Sequence, residues 1–166
     1  MATKENALEA YAGESQANRK YAVFSEKAAA EGFGTVARLF KAASAAEAIH
    51  AKRLLFVLDG VGSTEENLGE SVAGERHEYT EMYPGFVTEA QSERKSEAEN
   101  IFTHAMKAEE VHAGLYAKAL EAVKAGNDLA ADAIFLCPVC GNVELNEAPE
   151  KCPICGAPGR MFREIE

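Results

Sequence analysis

Through its first 125 residues the chain interleaves apolar and polar positions in four long stretches divided by glycine-containing breaks. Each stretch predicts a helix. The first runs from about Lys4 to Glu31 and stops before Gly-Phe-Gly, a glycine stop signal. The second runs from about Thr35 to Leu58 and ends at Asp-Gly-Val-Gly-Ser. The third begins near Thr64, where Thr-Glu-Glu-Asn offers a capping hydroxyl and early acids, and a kink or break is expected at Pro84-Gly85. The fourth runs from about Glu93 to Ala125 and ends at Gly-Asn-Asp. Four long helices with short connections predict a mainly α fold, a four-helix bundle. The Gly-Phe-Gly and Gly-Val-Gly triplets follow no strand and lack a full phosphate-loop pattern, so they read as turns.

Composition adds three constraints. Alanine dominates the apolar fraction, which favours closely packed helices. No apolar run approaches the roughly 18 residues of a membrane span, and Met-Ala-Thr-Lys-Glu-Asn has no apolar core of a signal peptide. A cytoplasmic location is therefore expected. The net charge of −10 argues against nucleic acid or an anionic membrane as a partner. After Gly126 the character changes. A short linker, residues 127–135, leads into a stretch rich in Cys, Pro and Gly that holds all four cysteines. Two domains are expected, residues 1–130 and 131–166.

The helical part repeats itself. Tyr-Ala-Gly-Glu-Ser (11–15) resembles Val-Ala-Gly-Glu-Arg (72–76) at an offset of 61, and residues 39–51 resemble residues 101–113 at an offset of 62. The first helical hairpin reads as duplicated in the second, and two such hairpins would pack with pseudo-two-fold symmetry. The repeat carries chemistry. Glu47 and His50 stand three apart on one helix face, as do Glu109 and His112, while Glu14 and Glu75 sit at matching places on the other two helices. Glu78 follows Glu75 by three residues. One Glu-x-x-His is weak evidence. Two of them, with inward carboxylates from every helix, would place several charges in a core at high desolvation cost unless cations balance them. One Glu from each of two helices plus Glu-x-x-His from each of the others is the ferritin-like di-iron pattern. Glu110, His77 and His104 lie off the ligand face. Tyr21 and Tyr83 point along it, as core aromatics or as hydroxyl donors to the carboxylates.

In the tail, Cys137-Pro-Val-Cys140-Gly and Cys152-Pro-Ile-Cys155-Gly form two Cys-x-x-Cys knuckles, a strong signal for a tetrahedral tetrathiolate metal site. Zinc would make it a structural ribbon and iron a one-electron carrier; both accept this geometry.

These segments together resemble the rubrerythrin family along essentially the whole chain. The resemblance is carried by Ala-Gly-Glu-Ser with Glu14, Glu-Ala-Ile-His at 47–50, residues 73–86, Glu-Glu-Val-His at 109–112, and the two knuckles through Pro158. It implies a ferritin-like di-iron bundle with a C-terminal rubredoxin-like Fe(Cys)4 domain. It implies reduction of hydrogen peroxide with electrons originating in NADH and arriving through separate donor proteins, a rubredoxin or an NADH-dependent reductase. Glu14, Glu47, Glu75, Glu78, Glu109 and His112 are the implied ligands, with Cys137, Cys140, Cys152 and Cys155 holding the third iron. His50 matches the family histidine that replaces a glutamate, here Glu78, upon reduction; Tyr21 and Tyr83 match hydrogen-bonding tyrosines. Residues 141–151 depart from the pattern in lacking the aromatics common after the first knuckle of rubredoxins.

The chemistry is coherent, since a carboxylate suits the harder ferric ion and an imidazole the softer ferrous one. No dinucleotide fingerprint is present, so NADH is not expected to bind this chain. Two rivals stand beside the peroxidase: a ferritin-like ferroxidase or iron-handling protein, and a non-catalytic bundle bearing a zinc ribbon. His112 precedes the end of the fourth helix by enough residues to put the start of the tail roughly 21 Å from the di-iron centre, and nothing in the linker suggests a tight return. A head-to-tail homodimer, with electrons crossing between subunits, is therefore expected.

Overall fold

The structure is a computed structural model and describes residues 2–166. The chain divides into two compact units, one up to Gly62 and the other from Ser63 onward. The expected boundary at 130/131 falls in the linker within the second unit.

The first unit is a helical hairpin of α1 (Ala2–Ala30) and α2 (Gly34–Val57). Small residues let the two backbones approach: Ala7, Ala28, Ala37 and Ala51 are buried between them. A polar clasp fixes their register. Asn18 Nδ2 donates to the carbonyl oxygen of Ser44 at 2.7 Å, and Ser44 Oγ donates back to the carbonyl of Asn18 at 2.9 Å. The turn is made by Gly32 at φ +85, a left-handed conformation that glycine adopts without a steric penalty.

The second unit opens with α3 (Thr64–His77). Its N-cap is Ser63 rather than the expected Thr64: Ser63 Oγ accepts from the Glu66 N–H, and the Glu66 carboxylate accepts from the Ser63 N–H at 2.8 Å, a complete capping box. A π-helical turn (Glu78–Met82) follows, then α4 (Tyr83–Ser92) and α5 (Ser96–Lys124). The expected break at Pro84-Gly85 does not occur. Pro84 falls in the first turn of α4, where its missing N–H costs least, and the irregularity lies one turn earlier.

The two hairpins repeat one another in detail. Tyr21, Phe24 and Phe40 form an aromatic triad with ring centroids 6.2, 6.1 and 5.6 Å apart. Tyr83, Phe86 and Phe102 form its counterpart at 6.0, 6.3 and 5.6 Å. Arg94, at φ +57, makes the turn that Gly32 makes in the first hairpin.

The tail forms a three-stranded antiparallel sheet in the order β2 (Val143–Leu145), β1 (Ile134–Leu136), β3 (Arg163–Glu164). Its small core is made by the cysteines with Ala157, Ile154 and Phe162. The linker does return. The sheet packs back on α5 within the same unit, enclosing an apolar cavity of about 470 Å³ lined by Leu68, Leu115, Tyr116, Leu136 and Val143 among others. The sequence expectation of a tail remote from its own helices is thereby overturned. The linker residues bond across to Asn146, just after β2: Asn146 Oδ1 accepts from the Asp132 N–H, and the Asn146 N–H donates to the Ala133 carbonyl, both at 2.8 Å.

Candidate metal centres

Three groups of metal-ligating side chains assemble, and each has its ligand atoms within 4.8 Å of one another. They are Glu14, Glu47 and His50 on the first hairpin; Glu75, Glu109 and His112 on the second; and Cys137, Cys140, Cys152 and Cys155 in the tail. No helix among the described residues is long and apolar enough to cross a membrane.

In the first hairpin, the clasp at Asn18 and Ser44 sits about one turn from Glu14 and Glu47 and holds the two carboxylates opposite each other. His50 Nδ1 is 2.9 Å from Glu47 Oε2 and 3.7 Å from Glu14 Oε2. The two carboxyls are hydrogen-bonded, which raises the pKa of Glu14 and lowers that of Glu47. This is the behaviour of two like charges sharing one proton. The His50 side chain is 53% exposed, and its Nε2 has no hydrogen-bond partner among the described residues.

The second triad is more enclosed and more tightly held. His112 Nδ1 is 2.7 Å from Glu109 Oε2 and 3.9 Å from Glu75 Oε2, and its side chain is 22% exposed. Burial, together with the hydrogen bond and charge of Glu109, pushes the Glu75 carboxyl up to about 7. Glu75 Oε2 is buried without any hydrogen-bond partner. An orphaned acceptor beside a second carboxylate marks a place where a cation belongs. On its far side, His112 Nε2 lies 2.8 Å from the carbonyl oxygen of Gly141. A carbonyl only accepts, so Nε2 carries a proton and Nδ1 is the nitrogen that faces the two carboxylates. A metal on Nδ1 would replace the proton shared there with Glu109, with Nε2 still donating to the backbone carbonyl.

Glu78 is not drawn into this triad, although it feels it: burial first, then the Glu109 charge, raise its pKa. It begins the π turn, and the turn explains its place. Glu14 to Tyr21 is seven residues and Glu75 to Tyr83 is eight. The wider π turn absorbs that one extra residue, so Tyr83 returns to the position Tyr21 occupies in the first aromatic triad. The shift of the repeat from an offset of 61 to 62 was the signal for this turn. Tyr83 is surrounded by Glu109, Glu78 and Glu75; burial and these charges raise its pKa, so the phenol stays protonated. For Tyr21 the geometry supplies the aromatic contacts alone. Glu110 and His77 are exposed, as the sequence reading placed them, and His77 Nδ1 pairs with Glu81 at 3.3 Å.

In the tail, the sulfurs of Cys137 and Cys155 are 3.7 Å apart and those of Cys140 and Cys152 are 3.6 Å apart. A tetrahedral site with metal–sulfur bonds of about 2.3 Å requires edges of about 3.8 Å, so the thiols are preset for one ion. Burial raises the Cys140 thiol. For Cys152, burial acts upward, but N–H donors from Cys155 and Ile154 prevail and bring it down to about 7. Gly141 and Gly156, at φ +82 and +76, close each knuckle in the left-handed region. The donor sets therefore fit hard, carboxylate-bound ions on the helices and a thiophilic ion in the tail.

Comparison with known proteins agrees with this geometry. Residues 5–120 match the family model described as Rubrerythrin, and residues 135–163 match that of the rubrerythrin, rubredoxin-like domain. The chain is 36% identical to rubrerythrin-2 of Clostridium acetobutylicum, over 93% of this chain and 91% of that protein. It is 37% identical to nigerythrin of Nitratidesulfovibrio vulgaris, over 96% of this chain and 85% of that protein. A solved structure of nigerythrin in a partially reduced state aligns with a TM-score of 0.58 at 36% identity, covering 98% of this chain and 86% of that one. Its relatives carry a di-iron site in a ferritin-like bundle and an Fe(Cys)4 site in a rubredoxin-like domain, and the glutamate, histidine and cysteine groups above are this chain's residues for them. The chain belongs to the rubrerythrin family, a family of peroxidase-type di-iron oxidoreductases.

Proposed function

We propose that this protein reduces hydrogen peroxide to water, taking electrons through its cysteine-bound iron, and that the contact between His112 and Gly141 is where they enter the helical site. The observation carrying this reading is that contact: a ligand histidine hydrogen-bonded, at 2.8 Å, to the residue that follows Cys140. Iron storage or ferroxidation has no use for a tetrathiolate placed there, and a structural zinc ribbon has no use for the paired carboxylates.

The roles are those the family resemblance implies, and the geometry of each triad supports them. Glu14, Glu47, Glu75, Glu109 and His112 hold the two irons, and Glu78 supplies a further carboxylate to one of them. His50 is the exchangeable ligand. It is half exposed and tethered on one nitrogen, whereas His112 is braced on both. A ligand that must move with oxidation state is better placed on the unbraced ring. Tyr83 keeps its proton and can donate to the carboxylates that surround it; Tyr21 is its counterpart on the first hairpin. When bound, the di-iron centre supplies the two electrons that, with two protons, convert one peroxide into two waters.

With the cysteine module lying on α5 of its own chain, the step from the cysteine site to the second triad does not require a partner subunit. The expected head-to-tail dimer thus loses the argument from distance that motivated it. The electrons come from a separate protein, a rubredoxin or an NADH-dependent reductase, in the cytoplasm. The test is a coupled assay of the iron-loaded full chain with NADH, a reductase and a rubredoxin. Peroxide-dependent NADH oxidation that requires all four cysteines is expected. Oxidation of added ferrous ion by dioxygen with iron accumulation, and no peroxide turnover, would instead support a ferroxidase.

A further inference from the structure

The peptide group between Gly141 and Asn142 faces two ways. Its carbonyl oxygen accepts from His112 Nε2–H at 2.8 Å. Its N–H, on the opposite edge of the same trans plane, acts on Cys140 as a backbone donor and draws that thiol down against the rise from burial. One peptide group therefore stands between the imidazole of the second triad and a sulfur of the tetrathiolate.

The second knuckle is an internal control. Ala157 accepts from the Cys152 N–H at 2.8 Å, just as Asn142 accepts from the Cys137 N–H at 2.8 Å. The Ala157 N–H donates to Cys155 as the Asn142 N–H donates to Cys140. An alanine thus suffices for the knuckle. Yet Asn142 buries an amide completely: it is 0% exposed, its Nδ2 donates to Glu144 Oε1 at 2.8 Å, and its Oδ1 has no partner. Burying an unsatisfied carbonyl oxygen is unfavourable, and alanine would avoid it. What distinguishes the first knuckle is that its peptide also serves His112. The bond to Glu144, on β2, anchors the Asn142 side chain next to that peptide.

We propose that Asn142 is a positioning residue that holds the Gly141–Asn142 peptide between His112 and Cys140, and that this peptide couples the two metal sites. The proposal rests on the reading that the cysteines hold iron. A cation on His112 Nδ1 makes Nε2–H a stronger donor to the Gly141 oxygen. The polarised peptide then donates more strongly to the Cys140 sulfur. Hydrogen bonds to sulfur favour the more electron-rich, reduced site. Loading the helical triads therefore raises the reduction potential of the cysteine site. By linkage, reducing the cysteine site tightens metal binding at His112.

The experiment titrates the midpoint potential of the iron–cysteine centre in the full chain, with the helical sites empty and then filled with redox-inert Zn(II). A positive shift is expected in the wild type. In Asn142→Leu the shift should fall to less than half while the visible spectrum of the iron–cysteine centre is retained. A through-space effect of added charge is indifferent to this substitution, so an undiminished shift in Asn142→Leu overturns the proposal, as does no shift in the wild type. Should Asn142→Leu fail to fold, Glu144→Ala removes the brace from an intact Asn142, and the same loss of shift is expected. A wild type that takes up iron but shows no ferric tetrathiolate spectrum overturns the functional reading and the proposal with it; the spectrum without the shift overturns the proposal alone.

Discussion

His112 Nε2 and the carbonyl oxygen of Gly141 are 2.8 Å apart, although the residues are 29 positions apart in the chain. This bond ties the helical triad to the first cysteine knuckle and fixes which nitrogen of His112 faces the carboxylates. It also brings the first cysteine knuckle against the second helical triad.

Replacing His112 with Ala removes that nitrogen and the bond together. Peroxide turnover should fall by more than the about 10–100-fold typical of losing a supporting group around a metal, while the colour of the iron–cysteine centre persists. Steady-state assay alongside the visible spectrum checks both; wild-type turnover in this variant contradicts the ligand assignment.

His50 should matter in one oxidation state only. In His50→Ala the ferric protein keeps its iron through the carboxylates, and the reduced protein loses a ligand and cycles slowly. Iron content measured before and after anaerobic reduction separates the two states. Equal behaviour of variant and wild type in both would show that the exposed ring plays no part.

The π turn makes a structural prediction. Deleting Thr80 should convert Glu78–Met82 to ordinary α-helix and leave Tyr83 stacked with Phe86 and Phe102, as in the first hairpin. Helical circular dichroism should be nearly unchanged. Turnover should drop about as far as in Glu78→Ala, because the deletion changes the register of that carboxylate against Glu109. A deletion variant that unfolds would show that the extra residue is not a simple insertion.

Metal-free protein should respond to pH through Glu75. Its folded pKa of about 7 lies above the ordinary carboxyl value of 4.5, so the folded state binds the proton more tightly. Stability from this group is complete below about 4.5 and is lost as pH rises to about 7. Metal must displace that proton, so metal affinity rises over the same interval. Thermal melts of the metal-free chain across this range should show Tm falling with pH, and Glu75→Gln should flatten the slope.

Much of this was legible in the sequence because it lies in local spacing. Glu47 with His50, Glu109 with His112, and the two knuckles are pairs three residues apart whose geometry a helix or a turn dictates. The capping residue was misplaced by one, from Thr64 to Ser63, because both hydroxyls precede the acids and only backbone geometry chooses. The π turn was written in the change of offset between the halves, yet Pro84 looked like the stronger disruption. The return of the tail was not legible. It depends on Asn146, Asp132 and Gly141 finding partners up to 29 residues away, and linker composition carries no trace of such pairing.

The central claim is that peroxide is reduced at the helical site with electrons drawn from the cysteine-bound iron of the same chain. It is tested most directly by anaerobic stopped-flow mixing of fully reduced, iron-loaded protein with hydrogen peroxide, following the absorbance of the ferric tetrathiolate. The account predicts rapid reoxidation of that centre at a rate constant independent of protein concentration, and its loss in His112→Ala. A cysteine centre that stays reduced while peroxide is consumed, or that reoxidises at a rate rising with protein concentration, would contradict it.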